Sequence, residues 1–265
     1  VYDEDKIIRF EIDTITGDTG IKRYHDSDGD GRADIVAPAT EPVPYETALL
    51  DEIDPQWEAG EELALRDADT RTIKTWIDPN GNGLVDPGEV IDFIPANADV
   101  LRPFLDVATV PEAEDIINFI RGEEVAGFRD RNITIGGSQY VWKLGDIVYS
   151  TPTVVGKPME MYNLYYSDVT YAEFYSLWKN RGVTVYVGAN DGMLHAFTSW
   201  KYDSSQLQYT QPAATTEAIG DELWAYIPMA MLPHLKWLPR SDYEHVYYVD
   251  LKPKIFDAKI LDDEA

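Results

Sequence analysis

The chain has 265 residues, of which 48 are acidic and 22 are basic, so its formal net charge is −26 at pH 7. Hydrophobic residues make up 44% of the sequence, which is enough for a sizeable core. The acidity argues against nucleic-acid binding, which needs a basic face, and the lack of cysteine excludes disulfides, zinc–thiolate sites and cysteine nucleophiles.

The first predicted strand covers residues 5–12, where polar and apolar residues alternate. A turn follows, and then the acidic run Asp-Ser-Asp-Gly-Asp-Gly-Arg-Ala-Asp at residues 26–34. Numbered as a twelve-residue calcium loop, this run has oxygen donors at positions 1, 3, 5, 7 and 9 and glycine at position 6, but alanine at position 12. The predicted calcium ligands of this first loop are Asp26, Asp28, Asp30, the carbonyl of Arg32, and Asp34.

Residues 78–89 form a second and more complete calcium loop, Asp-Pro-Asn-Gly-Asn-Gly-Leu-Val-Asp-Pro-Gly-Glu. Position 6 is Gly83, and position 12 is a glutamate that can give two oxygens. Calcium is a hard cation that takes six to eight oxygen ligands. The predicted ligands of this second loop are Asp78, Asn80, Asn82, the carbonyl of Leu84, Asp86 and Glu89.

An alternative for both loops is an ordinary turn, because Asp and Asn side chains bond their own backbone and glycine accepts positive φ. Neither loop lies between two long amphipathic helices. The alternation at residues 72–77 predicts a strand before the second loop, and residues 90–94 predict another after it. We therefore expect EF-hand-like loops inserted in a different scaffold.

Three helices are predicted, at residues 55–68, 111–121 and 171–180. The middle one has the clearest signals: Pro111 at its start, acidic residues in its first turn and Gly122 after its last turn. From about residue 137 the pattern changes to short β segments with turns between them. Strands are predicted at residues 141–144, 151–155, 183–187, 193–197, 222–227, 246–249 and 254–258.

This pattern predicts a mainly β fold: a partial, modified quinoprotein-like β-propeller preceded by an α+β segment that carries the calcium loops. The predicted boundary divides the chain into residues 1–136 and residues 137–265. Strands for about two blades are predicted after residue 142. No apolar run approaches the roughly 18 residues of a membrane span. Because the first residue is Val1 and the last residues stop within a pattern, we expect a segment of a longer polypeptide.

Four stretches carry a specific resemblance. They are residues 142–156, residues 185–197 (Val-Tyr-Val-Gly-Ala-Asn-Asp-Gly-Met-Leu-His-Ala-Phe), residues 223–228 (Leu-Trp-Ala-Tyr-Ile-Pro) and residues 243–250. In this order they resemble the propeller of the PilC/PilY-type family of type IV pilus tip proteins. Residues 45–135 resemble, more loosely, the stretch that precedes the propeller in that family. The resemblance implies a modified seven-bladed propeller with inserted calcium loops. The later blades and the family's von Willebrand A-type domain have no counterpart in this sequence.

The resemblance also implies a function. We expect a calcium-binding, non-catalytic component of a pilus tip that acts in pilus assembly, in the balance of extension and retraction, and in adhesion. The expected location is extracellular, at the cell surface, reached through the periplasm. Expected partners are pilins or minor pilins, together with the rest of a precursor or another subunit that completes the propeller.

Two other functions stay open at this stage. A quinone-dependent dehydrogenase shares the blade motif, but the vicinal cysteines that cap the cofactor in several such enzymes are absent here. A purely structural surface or filament protein is the other alternative. No Gly-x-Ser-x-Gly, phosphate-loop or His-Glu-x-x-His motif is present. His195 and His245 lie in predicted strands and are expected to be core or turn residues, and the tyrosines of residues 162–178 are expected to pack between blades or at an interface.

Overall fold

The computed structural model describes residues 6–12, 17–28, 31–49, 57–203, 208–210 and 218–259. Contacts divide the chain into two compact units, residues 1–56 and residues 57–265. The boundary predicted after residue 136 does not coincide with this division. Buried side chains from both sides of residue 136, such as Phe93, Ile117 and Leu232, share one core.

The first unit contains a three-stranded antiparallel sheet, formed by β1 (Lys6–Ile12), β2 (Thr19–His25) and β3 (Glu46–Leu49). The central strand β2 pairs with both neighbours, and its Ile21 and Tyr24 side chains are buried. The first acidic loop begins directly after β2, so the end of this strand positions its first ligand.

The second unit is built from ten strands and five α-helices in the described residues. The strands are β4 (Ile73–Trp76), β5 (Val90–Asp92), β6 (Asn132–Ile135), β7 (Ser138–Val141), β8 (Thr153–Val155), β9 (Thr184–Gly188), β10 (Leu194–Thr198), β11 (Lys201–Asp203), β12 (Gln208–Thr210) and β13 (Glu222–Ile227). The helices are α1 (Ala59–Leu65), α2 (Ala98–Leu101), α3 (Val110–Arg121), α4 (Tyr162–Tyr165) and α5 (Val169–Trp178). None of these helices has the length and hydrophobicity needed to cross a bilayer.

One six-stranded sheet dominates this unit, with the strand order β5-β4-β13-β10-β9-β8. Within it, β8, β9, β10 and β13 are antiparallel neighbours in chain order. A four-stranded antiparallel meander of this kind is the repeating unit of a β-propeller. The described residues therefore contain one blade, not the two that the sequence predicted. In the sequence, the small β11–β12 hairpin lies between the third and fourth strands of this blade, β10 and β13.

The β4–β5 hairpin extends the blade on its β13 side. Strand β4 pairs in parallel with β13, with Ile73 opposite Ala225 and Thr75 opposite Ile227. The Thr75 hydroxyl donates a hydrogen bond to the Ile227 carbonyl at 2.8 Å. An unpaired edge strand exposes a row of N–H and C=O groups, so this hairpin covers an edge that the blade would otherwise leave open.

Helix α3 begins and ends where the sequence signals predicted. Thr109 caps the helix in a capping box with Glu112, and Gly122 ends it with a left-handed φ of 113°. Its apolar face packs Ile117, Phe119 and Ile120 into the core beneath β4 and β13. Helix α3 and the hairpin therefore share one hydrophobic core with the blade.

Three strand predictions differ from the structure. The strand predicted at residues 141–144 lies instead at Ser138–Val141, and residues 246–249 and residues 254–258 are not in strands. A strand needs a neighbouring strand, and in the described residues neither 246–249 nor 254–258 has backbone hydrogen bonds to another strand. Val246, Tyr247 and Phe256 are correspondingly exposed. His245, which was expected in a strand, also lies outside one and is half exposed.

Candidate metal centres

The first loop brings three of its predicted ligands together. One carboxylate oxygen from each of Asp26, Asp28 and Asp34 lies within 4.8 Å of the other two. Asp34 is oriented by the backbone N–H of Ser27 at 3.0 Å and by the Ser27 hydroxyl. Hydrogen bonding from Ser27 lowers the pKa of Asp34 and keeps it charged. Asp30, the predicted position-5 ligand, lies outside the described residues.

Backbone turns hold this arrangement in place. The Gly31 N–H donates to Asp26 Oδ2 at 3.0 Å, and Gly31 has a left-handed φ of 79°. The Asp34 N–H donates to the His25 carbonyl at 2.8 Å, so the loop returns to the end of β2. Three carboxylates held this close repel one another, and a divalent cation would relieve that repulsion.

The second loop closes the β4–β5 hairpin, as the predicted flanking strands require. Trp76 pairs with Val90, and the Ile77 N–H donates to the Glu89 carbonyl at 3.0 Å. The twelve-residue loop therefore leaves the sheet at the end of β4 and returns to it at the start of β5, where the two strands are paired. The loop is a hairpin connection on the rim of the blade, and not part of a helix–loop–helix pair.

Hydrogen bonds turn the second loop's polar side chains inward. Asp78 accepts from the N–H groups of Gly81 and Gly83 at 2.7 and 2.8 Å. Asn80 and Asn82 each donate a side-chain N–H to Asp86 Oδ2, at 2.8 and 2.9 Å. Both Gly81 and Gly83 have left-handed φ values near 70°, which only glycine adopts without strain.

Glu89 occupies the base of this loop and is 5% exposed. Its Oε2 accepts from the Asp86 N–H at 2.8 Å and from the Trp76 indole N–H at 3.2 Å. No described residue donates a hydrogen bond to Oε1. A buried carboxylate with one oxygen committed to the scaffold and one open is suited to a metal ligand.

The donor set of the second loop fits calcium, although its geometry differs from that of the first. Asp78, Asp86 and Glu89 do not converge within 4.8 Å as the first loop's aspartates do. Instead the two asparagine amides donate their N–H groups to Asp86 and stabilise its negative charge. Oxygen ligation by Asn80 and Asn82 requires these amides to turn, which the exposed loop permits. Calcium at both loops remains a prediction.

The calcium prediction for the second loop is tested by Glu89→Gln. The substitution removes the charge and one oxygen ligand, and we expect calcium affinity at this loop to fall at least about tenfold. Isothermal calorimetry measures this affinity. Glu114→Gln, an exposed glutamate on α3, is the matched control and should bind like the wild type. Unchanged affinity in Glu89→Gln would reject the assignment.

The blade interior contains a network of buried charged side chains that the sequence did not predict. Glu222, at the start of β13, is bound by the Arg71 guanidinium through two hydrogen bonds of 2.8 and 2.9 Å. Its Oε1 also lies 2.8 Å from His195 Nδ1. The other His195 nitrogen is 3.0 Å from Asp191 Oδ2. All four side chains are buried. Along this series of contacts the two positive groups, Arg71 and His195, alternate with the two carboxylates.

Electrostatics fix the ionisation of this network. Burial alone lowers the pKa of His195, but Asp191 and Glu222 outweigh burial and raise it to about 9. Burial raises the pKa of Glu222, but Arg71 and His195 hold it well below its usual range. The His195 side chain has no exposed surface and both its nitrogens are engaged. It is a core histidine, as the sequence predicted.

The turn between β9 and β10 joins the blade to two loops. Asn190 donates its side-chain N–H to Asp146 at 2.8 Å and accepts from the Tyr248 N–H at 3.0 Å. Asp191 Oδ2 accepts from the Gly145 N–H at 2.9 Å. Residues 190–192, Asn-Asp-Gly, form a tight turn in which Gly192 has a left-handed φ of 89°. The contacts to residues 145, 146 and 248 were not predictable from the turn alone.

The tyrosine-rich helices α4 and α5 divide between the two expected roles. Tyr171 is buried, and its hydroxyl donates to Asp257 at 2.8 Å. Tyr165 and Tyr166 are instead 74% and 76% exposed. Part of the cluster is packing, and part is an open aromatic surface.

The meander β8-β9-β10-β13 is therefore a propeller blade extended by a hairpin that carries a predicted metal loop. Comparison with known families agrees: residues 144–258 match the family model of the PilY1 beta-propeller domain. This match confirms the resemblance that the sequence motifs predicted, over the part of the chain that they cover. No solved structure is significantly similar to this chain.

Curated relatives give the same result. The chain is 33% identical over 178 residues to the type IV pilus biogenesis factor PilY1 homolog of Xylella fastidiosa, covering 62% of this chain and 13% of that protein. It is 33% identical over 165 residues to the type IV pilus biogenesis factor PilY1 of Pseudomonas aeruginosa strain PAO1, covering 58% and 12%. The chain thus spans about an eighth of the length of these relatives.

Proposed function

We propose that this chain acts in type IV pilus biogenesis as a calcium-binding, non-catalytic part of a pilus-tip protein. The observation that carries the proposal is the coincidence of the PilY1 beta-propeller match, residues 144–258, with the four-stranded blade. The relatives that are 33% identical to it over the aligned residues are type IV pilus biogenesis factors. Their named role supports a location in the cell envelope or at the cell surface.

Calcium would act on the blade through the β4–β5 hairpin. The second loop connects these strands, and β4 pairs with the blade strand β13. Ile73, at the β4–β13 pairing, is buried with α3 and β13 in the same core. Binding at Asp78, Asp86 and Glu89 would hold the hairpin ends together, and so favour the edge pairing. Calcium would therefore stabilise the arrangement in which the β4–β5 hairpin covers the β13 edge of the blade.

A non-catalytic role is supported by the position of the blade's reactive groups. His195, Asp191 and Glu222 resemble catalytic groups in type, but Glu222 and His195 have no exposed side-chain surface. A catalytic group must contact its substrate. The hydrogen bonds and ion pairs of this network all join parts of the same core, which is the role of a structural network.

Partner binding is supported by apolar residues exposed after the blade and along α4 and α5. Leu251, Phe256, Leu164 and Leu177 are all more than 60% exposed. Exposed apolar patches of this kind mark interaction surfaces. We infer that they pack against further propeller strands, from the same precursor or another subunit, or against pilins. Adhesion to a surface would then be a property of the assembled tip.

The second unit should lose stability when calcium is removed. Binding to the folded state alone contributes RT ln(1 + [L]/Kd), about 2.7 kcal/mol at a hundredfold excess of ligand over Kd. We expect a chelator to lower the melting temperature, and calcium but not magnesium to restore it, because magnesium requires a smaller octahedral site. Glu89→Gln should show a smaller chelator effect. Identical melting curves with and without chelator would contradict a structural role for calcium.

Co-purification tests the proposed location. Pili sheared from the natural host, washed in calcium, should contain this chain together with pilin. A periplasmic protein measured in the same fraction controls for lysis. Presence of pilin without this chain would contradict the tip location, and presence in equal amount with the lysis marker would do the same.

A further inference from the structure

A cavity of about 430 Å³ opens beside the β9–β10 turn in the second unit. Its walls combine aromatic side chains with three cations: Phe119, Trp142, Tyr243, Arg129, Arg131 and Lys143. The volume is within the range of roughly 300–1,000 Å³ that is typical of ligand pockets. Three cations around one cavity are unexpected in a chain whose net charge is −26.

Arg129 is a guanidinium without an acceptor. Its Cζ lies 4.6 Å from the centre of the Tyr243 ring, and its buried Nε has no hydrogen-bond partner. No carboxylate in the described residues lies within ion-pair distance of it. The cation–π contact offsets part of the cost of burial, but none of the guanidinium N–H groups has an acceptor among the described residues. A buried donor without a partner costs stability, so this side chain is suited to a ligand.

Arg131 and Lys143 add two further positive charges to the wall of the cavity. The Arg131 guanidinium lies 3.6 Å from the centre of the Phe119 ring and donates to the Phe119 carbonyl. Lys143 Nζ donates to the carbonyls of Ala64 and Val141. Neither cation forms an ion pair with a described carboxylate. Burial and neighbouring guanidinium groups lower the pKa of Lys143 to about 8 and that of Arg131 to about 10.

The two carboxylates that line the cavity are engaged elsewhere. Asp146 accepts from Asn190 and lies 2.9 Å from His245 Nε2. Asp191 is held by His195 and by the Gly145 N–H. The cavity therefore has an excess of positive charge that its own acidic residues do not neutralise.

We propose that this cavity binds a carboxylate side chain of an acidic peptide. Arg129 and Arg131 would donate hydrogen bonds to that carboxylate. A guanidinium presents parallel N–H donors that match the two oxygens of a planar carboxylate. The aromatic walls suit the short aliphatic stem of an aspartate or glutamate side chain. This inference is independent of the pilus proposal and of calcium binding.

Calorimetry on the natural protein at 0.15 M salt tests this proposal with four probes. These are acetyl-Asp-Asp-Glu-amide, its neutral analogue acetyl-Asn-Asn-Gln-amide, and inorganic phosphate, with acetate to represent a free carboxylate. We expect the acidic peptide to bind, the neutral analogue not to bind, and acetate to compete only weakly. Tighter binding of phosphate than of the acidic peptide, or no binding of the peptide, would overturn the proposal.

Variants assign the binding to the cavity. Arg129→Met should weaken peptide binding at least tenfold, and Arg131→Met should do the same. Arg102→Met is the matched control, because Arg102 is also half-buried, has no ion pair among the described residues and donates only to the Ala108 carbonyl. Equal affinity in wild type and Arg129→Met, or an equal loss in Arg102→Met, would overturn the assignment.

Stability separates a ligand-binding arginine from a structural one. Arg129→Met removes the cation–π contact with Tyr243 but also the unpaired buried Nε and the repulsion of Arg131, and there is no hydrogen bond to lose. The substitution should therefore leave the melting temperature of the unliganded protein unchanged or raise it. A clear fall in melting temperature together with the loss of peptide binding would show that Arg129 supports the fold, and would overturn its role as a ligand.

Discussion

Replacing Glu222 by glutamine should lower the free energy of unfolding of the second unit by about 3–5 kcal/mol. The reason is the charge balance of the buried network. Glu222 is 2% exposed and is the sole described carboxylate bound to Arg71. Glutamine keeps the shape of the side chain but leaves the Arg71 guanidinium buried without a counter-charge. Removing one member of a buried ion pair has a far larger effect than removing a surface pair.

Urea unfolding at pH 7 in the presence of calcium measures this effect. Asp242→Asn is the matched control, because Asp242 also binds an arginine through two hydrogen bonds, but at the surface. Its change should be within about 0.5 kcal/mol. A change below about 1 kcal/mol in Glu222→Gln would show that the Arg71–Glu222–His195 contacts do not hold the blade.

The second large effect is a loss of stability as the pH rises above 6.5. The folded-state pKa of His195 is about 9, against an ordinary value of 6.5. Between these values the folded protein binds one proton more than the unfolded chain, so stability falls as pH rises. The contribution of His195 is fully present below pH 6.5. It amounts to about 3 kcal/mol, and about half of it should be lost by pH 8.

The pH window for this measurement is limited by Lys143. Its folded-state pKa of about 8 lies below its ordinary value of 10.5, so its contribution to stability rises between these values and opposes that of His195. Unfolding should therefore be measured between pH 6.5 and 8. Glu222→Gln removes one of the two carboxylates that raise the His195 pKa, and its stability should depend less on pH. A flat profile in the wild type would contradict a charged His195.

Local signals in the sequence predicted the elements whose causes are local. The capping box and Gly122 determine α3, the glycine positions determine the turns of the second loop, and short β-type segments between turns place β9, β10 and β13. The loops' inward-facing carboxylates also follow from spacing, because a twelve-residue calcium loop fixes which side chains face its centre.

Features that depend on distant partners were missed or wrongly predicted. The parallel pairing of β4 with β13 joins residues about 150 positions apart, and no pattern in either strand indicates it. Arg71 lies in a turn and Glu222 begins a strand, so nothing local marks them as an ion pair. Residues 246–249 have strand composition, and composition alone predicted a strand there, but no strand in the described residues pairs with them.

The measurement that tests the central claim most directly is the amount of surface pilin in the natural host. Pilin is sheared from cells that lack this chain, from wild-type cells and from cells complemented with the intact sequence, and is compared with total cellular pilin. We predict that surface pilin falls several-fold without the chain while total pilin stays constant, and that complementation restores it. Equal surface pilin in all three strains would contradict a role in type IV pilus biogenesis.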